Sequence, residues 1–189
     1  MFTPKPIHLR QSGHSFIELA IVTALAAILL SQAMPSFASL YANTQVSTQS
    51  NAILQSLHLA RSHAVAKQRN VHICHLDRAT MNTCDQDRGF NSTWSVGWLV
   101  FADNNSNKNL DDKDQVLQII EMSNSVNIVF NQRGRLRFFA NGSSRSAGFY
   151  ICDRKQRSFR HIYLLHTGRA RINQQLSERQ KSICNNANT

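Results

Sequence analysis

The sequence predicts an α+β protein, in which one long N-terminal hydrophobic helix is followed by an antiparallel β domain. Three observations carry this. An apolar run over 14–34 holds a single charge, Glu18. Apolar positions then recur at helical spacing to about Arg69. From Val71 on, short alternating or β-branched runs are separated by Asn, Asp, Gly and Ser clusters.

The elements follow in order. Residues 1–13 form a polar leader with Lys5 and Arg10 and no acid. Residues 14–38 are about long enough to span a bilayer, with the basic leader on the cytoplasmic side. No small-residue cleavage site of the secretory kind ends the run. A lone carboxylate in lipid is costly, which marks Glu18 as functional. Pro35 is expected to bend the helix. Residues 39–70 continue it as an amphipathic helix, with Val46, Ile53, Leu57, Ala60 and Ala64 on one stripe and polar residues opposite. Residues 71–189 form the β domain. Its strand candidates are 71–74, 96–101, 116–120, 126–130, 136–139, 149–152 and 161–165.

Charge is unevenly spread along the 189 residues. The formal net charge is +10, yet 71–129 holds four basic residues against eight acids. From Phe130 to the end there are twelve Lys or Arg against Asp153 and Glu178, so the last third carries the basic excess. Nucleic acid, anionic lipid or an acidic protein face would suit it, and so would a plainly solvated surface. Of the four cysteines, none sits in a CxxC pair, which disfavours zinc. Two disulfides in an oxidising compartment fit better than free thiols. Proximity in sequence favours Cys74–Cys84, which leaves Cys152–Cys184.

The stretch Gly13-His14-Ser15-Phe16-Ile17-Glu18 resembles the processing site of type IV prepilins. The resemblance implies that a prepilin peptidase cuts between Gly13 and His14 and methylates the new N-terminus. It also implies that Glu18, fifth in the mature chain, pairs with a neighbouring subunit's amine during assembly. His14 departs from the phenylalanine usual after the cut. Further on, Leu59-Ala60-Arg61-Ser62-His63-Ala64, Val71-His72-Ile73-Cys74 and the run from Trp94 to Asp103 resemble the FimT/GspH group of minor pilins and pseudopilins. This implies a type IV pilin-like fold, a long helix followed by two β-sheets. It also implies a single-pass protein of the bacterial inner membrane with a periplasmic C-terminal domain, later in a pilus or at the cell surface, with other pilin subunits as partners.

Gly168-Arg169-Ala170-Arg171 resembles the Gly-Arg-x-Arg of the FimT branch, whose DNA-binding members serve natural transformation. Physically, glycine permits a tight turn, and an extended chain after it puts Arg169 and Arg171 on one face. Each guanidinium can fork onto phosphate oxygens of double-stranded DNA without reading bases. Arg133, Arg135 and Arg137 are expected to share a face by the same alternation, opposite Leu136 and Phe138. Arg154, Lys155, Arg157 and Arg160 lie close in sequence to the strand leading into Gly168, and Arg145 lies beside an Asn141-Gly142 turn. The alternative is a structural minor pilin, or a GspH-like pseudopilin of type II secretion, that aids assembly without touching DNA.

Other chemistry is weakly supported. Asp103, Asn105, Asn107 and Asp114 faintly resemble a calcium loop, but Lys108 stands where its sharp turn wants glycine and glutamate is missing from the end. A solvated hairpin loop fits better. His58 and His63 are five apart on a helix, so they do not form a metal pair, and Cys74 beside His72 and His75 is expected in a disulfide. No nucleophile elbow, paired-carboxylate motif, recognition helix or zinc finger is recognisable. No enzyme, metal or cofactor is expected.

Overall fold

A computed structural model describes residues 15–85, 89–94, 96–122 and 125–186, with backbone alone at 32–35 and 185–186. The helix α1 spans Phe16–Lys67. It crosses between two units, one ending at Ala38 and the other starting at Ser39.

In the first unit Phe16, Ile17, Leu19, Ile21, Leu25, Ile28 and Leu29 are all exposed. Thr23 donates its hydroxyl to Leu19 O and Ala20 O, and Ser31 to Ile28 O, so both are satisfied within the helix, as apolar surroundings require. Among the described residues, α1 is long and apolar enough to cross a membrane by length and composition. Glu18 lies exposed in its first turn. Gly13 and His14 lie outside the described residues. The helix assignment runs through Pro35 without a break.

In the second unit α1 buries Ala42, Val46, Ile53, Leu57, Ala60 and Ala64, an interval of three, four or seven residues throughout. It ends where Gln68 turns left-handed at φ 52° and Arg69 N–H bonds back to Ala64 O.

Among the described residues nine strands follow: β1 (Asn70–His75), β2 (Ser92–Thr93), β3 (Gly97–Asp103), β4 (Gln115–Glu121), β5 (Val126–Phe130), β6 (Leu136–Phe138), β7 (Ala147–Asp153), β8 (Phe159–Leu164) and β9 (Ala170–Asn173). They form two antiparallel sheets, ordered β4-β3-β1-β6 and β2-β5-β7-β8-β9. A second helix, α2 (Glu178–Asn186), closes the described chain. Three of these elements go beyond the expected set: β2, β9 and α2. The start of α2 is a capping box, in which Ser177 N–H donates to Gln180 Oε1 and Gln180 N–H to Ser177 Oγ.

One core joins the α1 stripe to the inner faces of both sheets, through Val71, Ile73, Val100, Leu136 and Phe138 of the first and Ile128, Phe149, Ile151, Ile162 and Leu164 of the second. Trp94, Phe130 and Phe149 pack as a triad with ring centroids 4.8–5.3 Å apart. The buried Trp98 indole donates to Ser56 Oγ at 2.9 Å, and Ser56 donates to Gln118 Oε1 at 2.7 Å, so these groups satisfy one another between helix and sheet.

Two smaller clusters lie on the outer faces. Cys74, Leu76, Cys84, Leu99 and Phe101 pack outside the first sheet, where Cys74 is bonded to Cys84. Val129, Tyr150, Cys152 and Cys184 pack outside the second, where Cys152 is bonded to Cys184 and so ties α2 to β7.

Candidate nucleic-acid interface

The β8–β9 hairpin turns at residues 165–169. Gly168 N–H bonds to Leu165 O, and Leu165 N–H to Arg169 O. Gly168 has φ +75°, and a Cβ there would lie 2.0 Å from Gly142 O. Two constraints therefore select glycine, a left-handed backbone and the contact of two backbones. Gly142, at φ +77°, turns the loop after β6, and Arg61 of α1 donates Nε to its carbonyl at 3.2 Å. Ser144 locks the two turns together: its N–H donates to His166 O at 3.0 Å, His166 Nδ1 lies 2.9 Å from Ser144 O, and Ser144 Oγ donates to Arg137 O at 2.8 Å.

Register then assigns faces. In β9, Ala170 and Ile172 pack on the core opposite Leu164 and Ile162, so Arg171, opposite Tyr163, points outward. Arg169 and Arg171 are both exposed. Among the described residues neither guanidinium has a hydrogen-bond, ion-pair or ring partner. On the same outer face Tyr150 stacks on His161 at 4.4 Å, and His161 lies 6.1 Å from Tyr163. Burial lowers the His161 pKa from its ordinary value, which favours the neutral ring.

The second arginine stretch departs from its expected form. Extended alternation holds only over β6, where Leu136 and Phe138 are buried, because Gly134 turns at φ 62°. Arg133, beyond that turn, sits over the Phe90 ring at 5.1 Å. Arg135 and Arg137 do converge, on a cavity outside the first sheet that Arg145 also lines. Arg145 donates to Arg133 O and Arg135 O, and Arg137 covers the Phe139 ring at 4.1 Å. Burial lowers the Arg135 and Arg145 pKa values from their ordinary range.

The cluster Arg154, Lys155, Arg157 and Arg160 is not brought to the Gly168 turn. The β7–β8 turn that holds its first three members lies at the opposite end of β8, roughly 20 Å away at about 3.3 Å per residue. Arg157 pairs with Asp153 at 3.3 Å. Arg160 alternates with His161 and so lies on the helix side of the sheet, reaching Asn43 Oδ1 of α1 at 2.8 Å. Closeness in sequence to β8 misplaced this cluster because β8 runs away from it.

The loop between β3 and β4 bonds to itself. Asp111 accepts from Asn105 Nδ2, Asn107 Nδ2 and Lys113 N–H, and Asp114 accepts from Asn104 and Asp111 N–H. Lys108 takes the sharp turn itself at φ 67°. Among the described residues no group of three or more His, Cys, Asp or Glu could hold a metal ion.

Residues missing from the expected site are Arg61, which braces the turn, and Lys108 and His72, which line the cavity. Their sequence neighbourhoods gave no signal, since each reaches the site from a different element.

A family model described as Type II transport protein GspH matches residues 49–168. The type IV minor pilin FimU of Pseudomonas aeruginosa is similar in structure at a TM-score of 0.48 and 22% identity, over 69% of this chain and 91% of that one. A second crystal form gives 0.49 and 22%, over 69% and 87%. The minor pseudopilin EpsH from the Type 2 Secretion System of Vibrio cholerae gives 0.49 and 11%, over 69% and 97%. Comparison with curated protein sequences gave no match.

Proposed function

Because the chain belongs to the GspH family, we propose that it is a minor type IV pilin that captures double-stranded DNA for uptake in natural transformation. Arg169 and Arg171 make the contact, held by the Gly168 turn. One observation supports this above the others: of the ten arginines in the basic last third six are engaged, and of the four with no side-chain partner among the described residues Arg169 and Arg171 are the two that stand two apart, both exposed, at the start of β9. Arg133 and Arg137 lie on rings, Arg135, Arg145 and Arg160 donate to oxygens, and Arg157 pairs with Asp153. A partnerless guanidinium pair spaced two residues apart suits successive phosphates and reads no base. Tyr163 beside Arg171 adds a flat apolar surface. In this reading the peptidase cuts between Gly13 and His14, the apolar part of α1 anchors the subunit in the inner membrane, and Glu18 pairs with a neighbouring subunit during assembly.

The test uses residues 39–189, which retain every buried apolar residue described, the first being Ala42. Gel shifts on unrelated duplexes should show equal binding at low salt, lost in the Arg169→Ala/Arg171→Ala variant. No shift for the unaltered fragment, or an undiminished shift for the variant, refutes the assignment.

The description of the matching family as a type II transport protein favours a second reading, a pseudopilin that aids assembly without DNA. Deletion separates the two. Loss of transformation with pili intact supports DNA capture, and loss of pili or of protein secretion supports the second reading.

A further inference from the structure

We propose that the basic cavity outside the first sheet is a binding site for a phosphomonoester, distinct from the Arg169–Arg171 face and independent of the reading above. The cavity measures about 400 Å³. Four cations converge on it from separate segments: Lys108 from the β3–β4 loop, Arg135 and Arg137 from the β6 run, and Arg145 from the turn beyond. One carboxylate stands close by. Asp103 is buried, and its Oδ2 is already occupied by Lys108 N–H at 3.0 Å and by His72 Nε2 at 3.3 Å. Charge in the cavity is therefore far from balanced.

The donors are held in place before any ligand arrives. Arg145 is clamped by two backbone carbonyls, and Arg137 sits over the Phe139 ring. Arg135 spends Nη2 on Asn109 Oδ1 at 3.2 Å, while its buried Nη1 has no partner among the described residues. His72, at 1% exposure, forms part of the cavity wall; its Nε2 faces Asp103, and its Nδ1 has no partner among the described residues. Buried polar atoms without partners are rare in folded proteins, and His72 Nδ1 and Arg135 Nη1 both belong to side chains that line this one cavity. Like-charge crowding points the same way, since Arg137 adds to the burial that lowers the Arg145 pKa.

Charge and geometry select the ligand. Rigid guanidinium forks match tetrahedral oxyanions. Four cations against one carboxylate call for more than one negative charge. A phosphomonoester carries about −1.5 to −2 near neutral pH, more than a backbone diester or a carboxylate supplies. The terminal phosphate of a nucleic-acid strand and free phosphate share this chemistry. Arg135 and Arg137 thus serve a pocket for one group instead of a duplex backbone.

Titration calorimetry of the full-length protein in detergent, at constant ionic strength, tests this with inorganic phosphate and with acetate as probes. One phosphate should bind per chain, with acetate at least about tenfold weaker. Arg137→Gln and, on the exposed loop where folding is not at risk, Lys108→Gln should each weaken phosphate about tenfold, as loss of one charge-assisted contact does. Arg169→Ala/Arg171→Ala should leave phosphate binding unchanged, so the pocket and the DNA face fail or hold separately. Competition by oligonucleotides with a 5′-phosphate but not by 5′-hydroxyl ones assigns the group to strand ends, competition by neither assigns it to free phosphate, and equal competition by both means that the cavity takes backbone diesters and overturns the proposal. Absent phosphate binding, binding that survives Lys108→Gln, or acetate binding as well as phosphate overturns the proposal.

Discussion

Replacing Gly168 by alanine tests whether the turn that presents Arg169 is as constrained as its geometry says. A left-handed backbone costs a side-chain-bearing residue about 1–2 kcal/mol. The new Cβ would also sit 2.0 Å from Gly142 O, more than an ångström inside ordinary contact, so two backbones must separate. Gly142 has little room to retreat, because its carbonyl is bonded to Arg61 Nε and Val65 packs beneath its Cα. Separation strains the Arg61–Gly142 bond and the Ser144–His166 pair, each worth about 0.5–1.5 kcal/mol. The expected loss is about 3 kcal/mol or more, a large share of the stability of an ordinary domain. Urea denaturation of residues 39–189 measures it. Gly89→Ala is the control: nothing described lies within 4 Å of its Cβ, so its effect should stay within about 0.5 kcal/mol. A Gly168→Ala midpoint equal to that of the unaltered fragment refutes the reasoning, and with it the claim that the turn fixes the arginines.

Four further outcomes follow from the same structure. If Arg169 and Arg171 each neutralise one phosphate, the double alanine variant should lower the slope of log affinity against log salt by about 1.8, so a fourfold rise in salt closes the gap to the unaltered protein about 12-fold, read by fluorescence anisotropy. Ser56→Ala strands the Trp98 indole in the core and should cost about 1–3 kcal/mol in denaturation midpoint analysis. Burial pulls the His72 imidazole from 6.5 down to about 4, with the Asp103 carboxylate opposing; the folded state therefore binds fewer protons than the unfolded one between those values. Stability should fall as pH drops from 6.5 towards 4.5, by about 2 kcal/mol from His72, with His161 adding in the same direction, and His72→Gln should flatten the profile. Removing the Cys152–Cys184 bond, whose cysteines are 32 residues apart, should cost about 4 kcal/mol by loop entropy and release α2, seen as earlier loss of its amide protection in hydrogen exchange.

The parts that were legible in the sequence are those whose periodicity reports directly on burial. Val46, Ile53, Leu57, Ala60 and Ala64 lie on one helix face whatever they pack against, and all are buried. Val126 to Phe130 is apolar enough to declare a central strand. β9 was not legible as a strand, because Ala-Arg-Ile-Asn has little strand preference and pairs only because β8 offers an edge with Ile162 and Leu164 facing the core. α2 is polar and short, and cross-linking to β7 holds it; its Ser177–Gln180 capping box was the available signal. The arginine stretch at 133–137 misled because alternation assumes an extended chain, and Gly134 breaks it. The cavity was invisible for another reason. Its walls come from residues 72, 107–109, 135, 137, 139 and 145, and no local pattern joins them.

Among the described residues the β9 strand has a sheet neighbour on one side only, which leaves its far edge open. Open edges invite strands from other copies, and proteins deter this with short edge strands and basic side chains. β9 is four residues long and bears Arg171, with Arg169 just before it. The repulsion that keeps copies from zippering edge to edge is then the same charge that attracts a polyanion. Neutralising it frees the edge, so turbidity should peak where added DNA phosphate balances protein charge and fall again with DNA in excess.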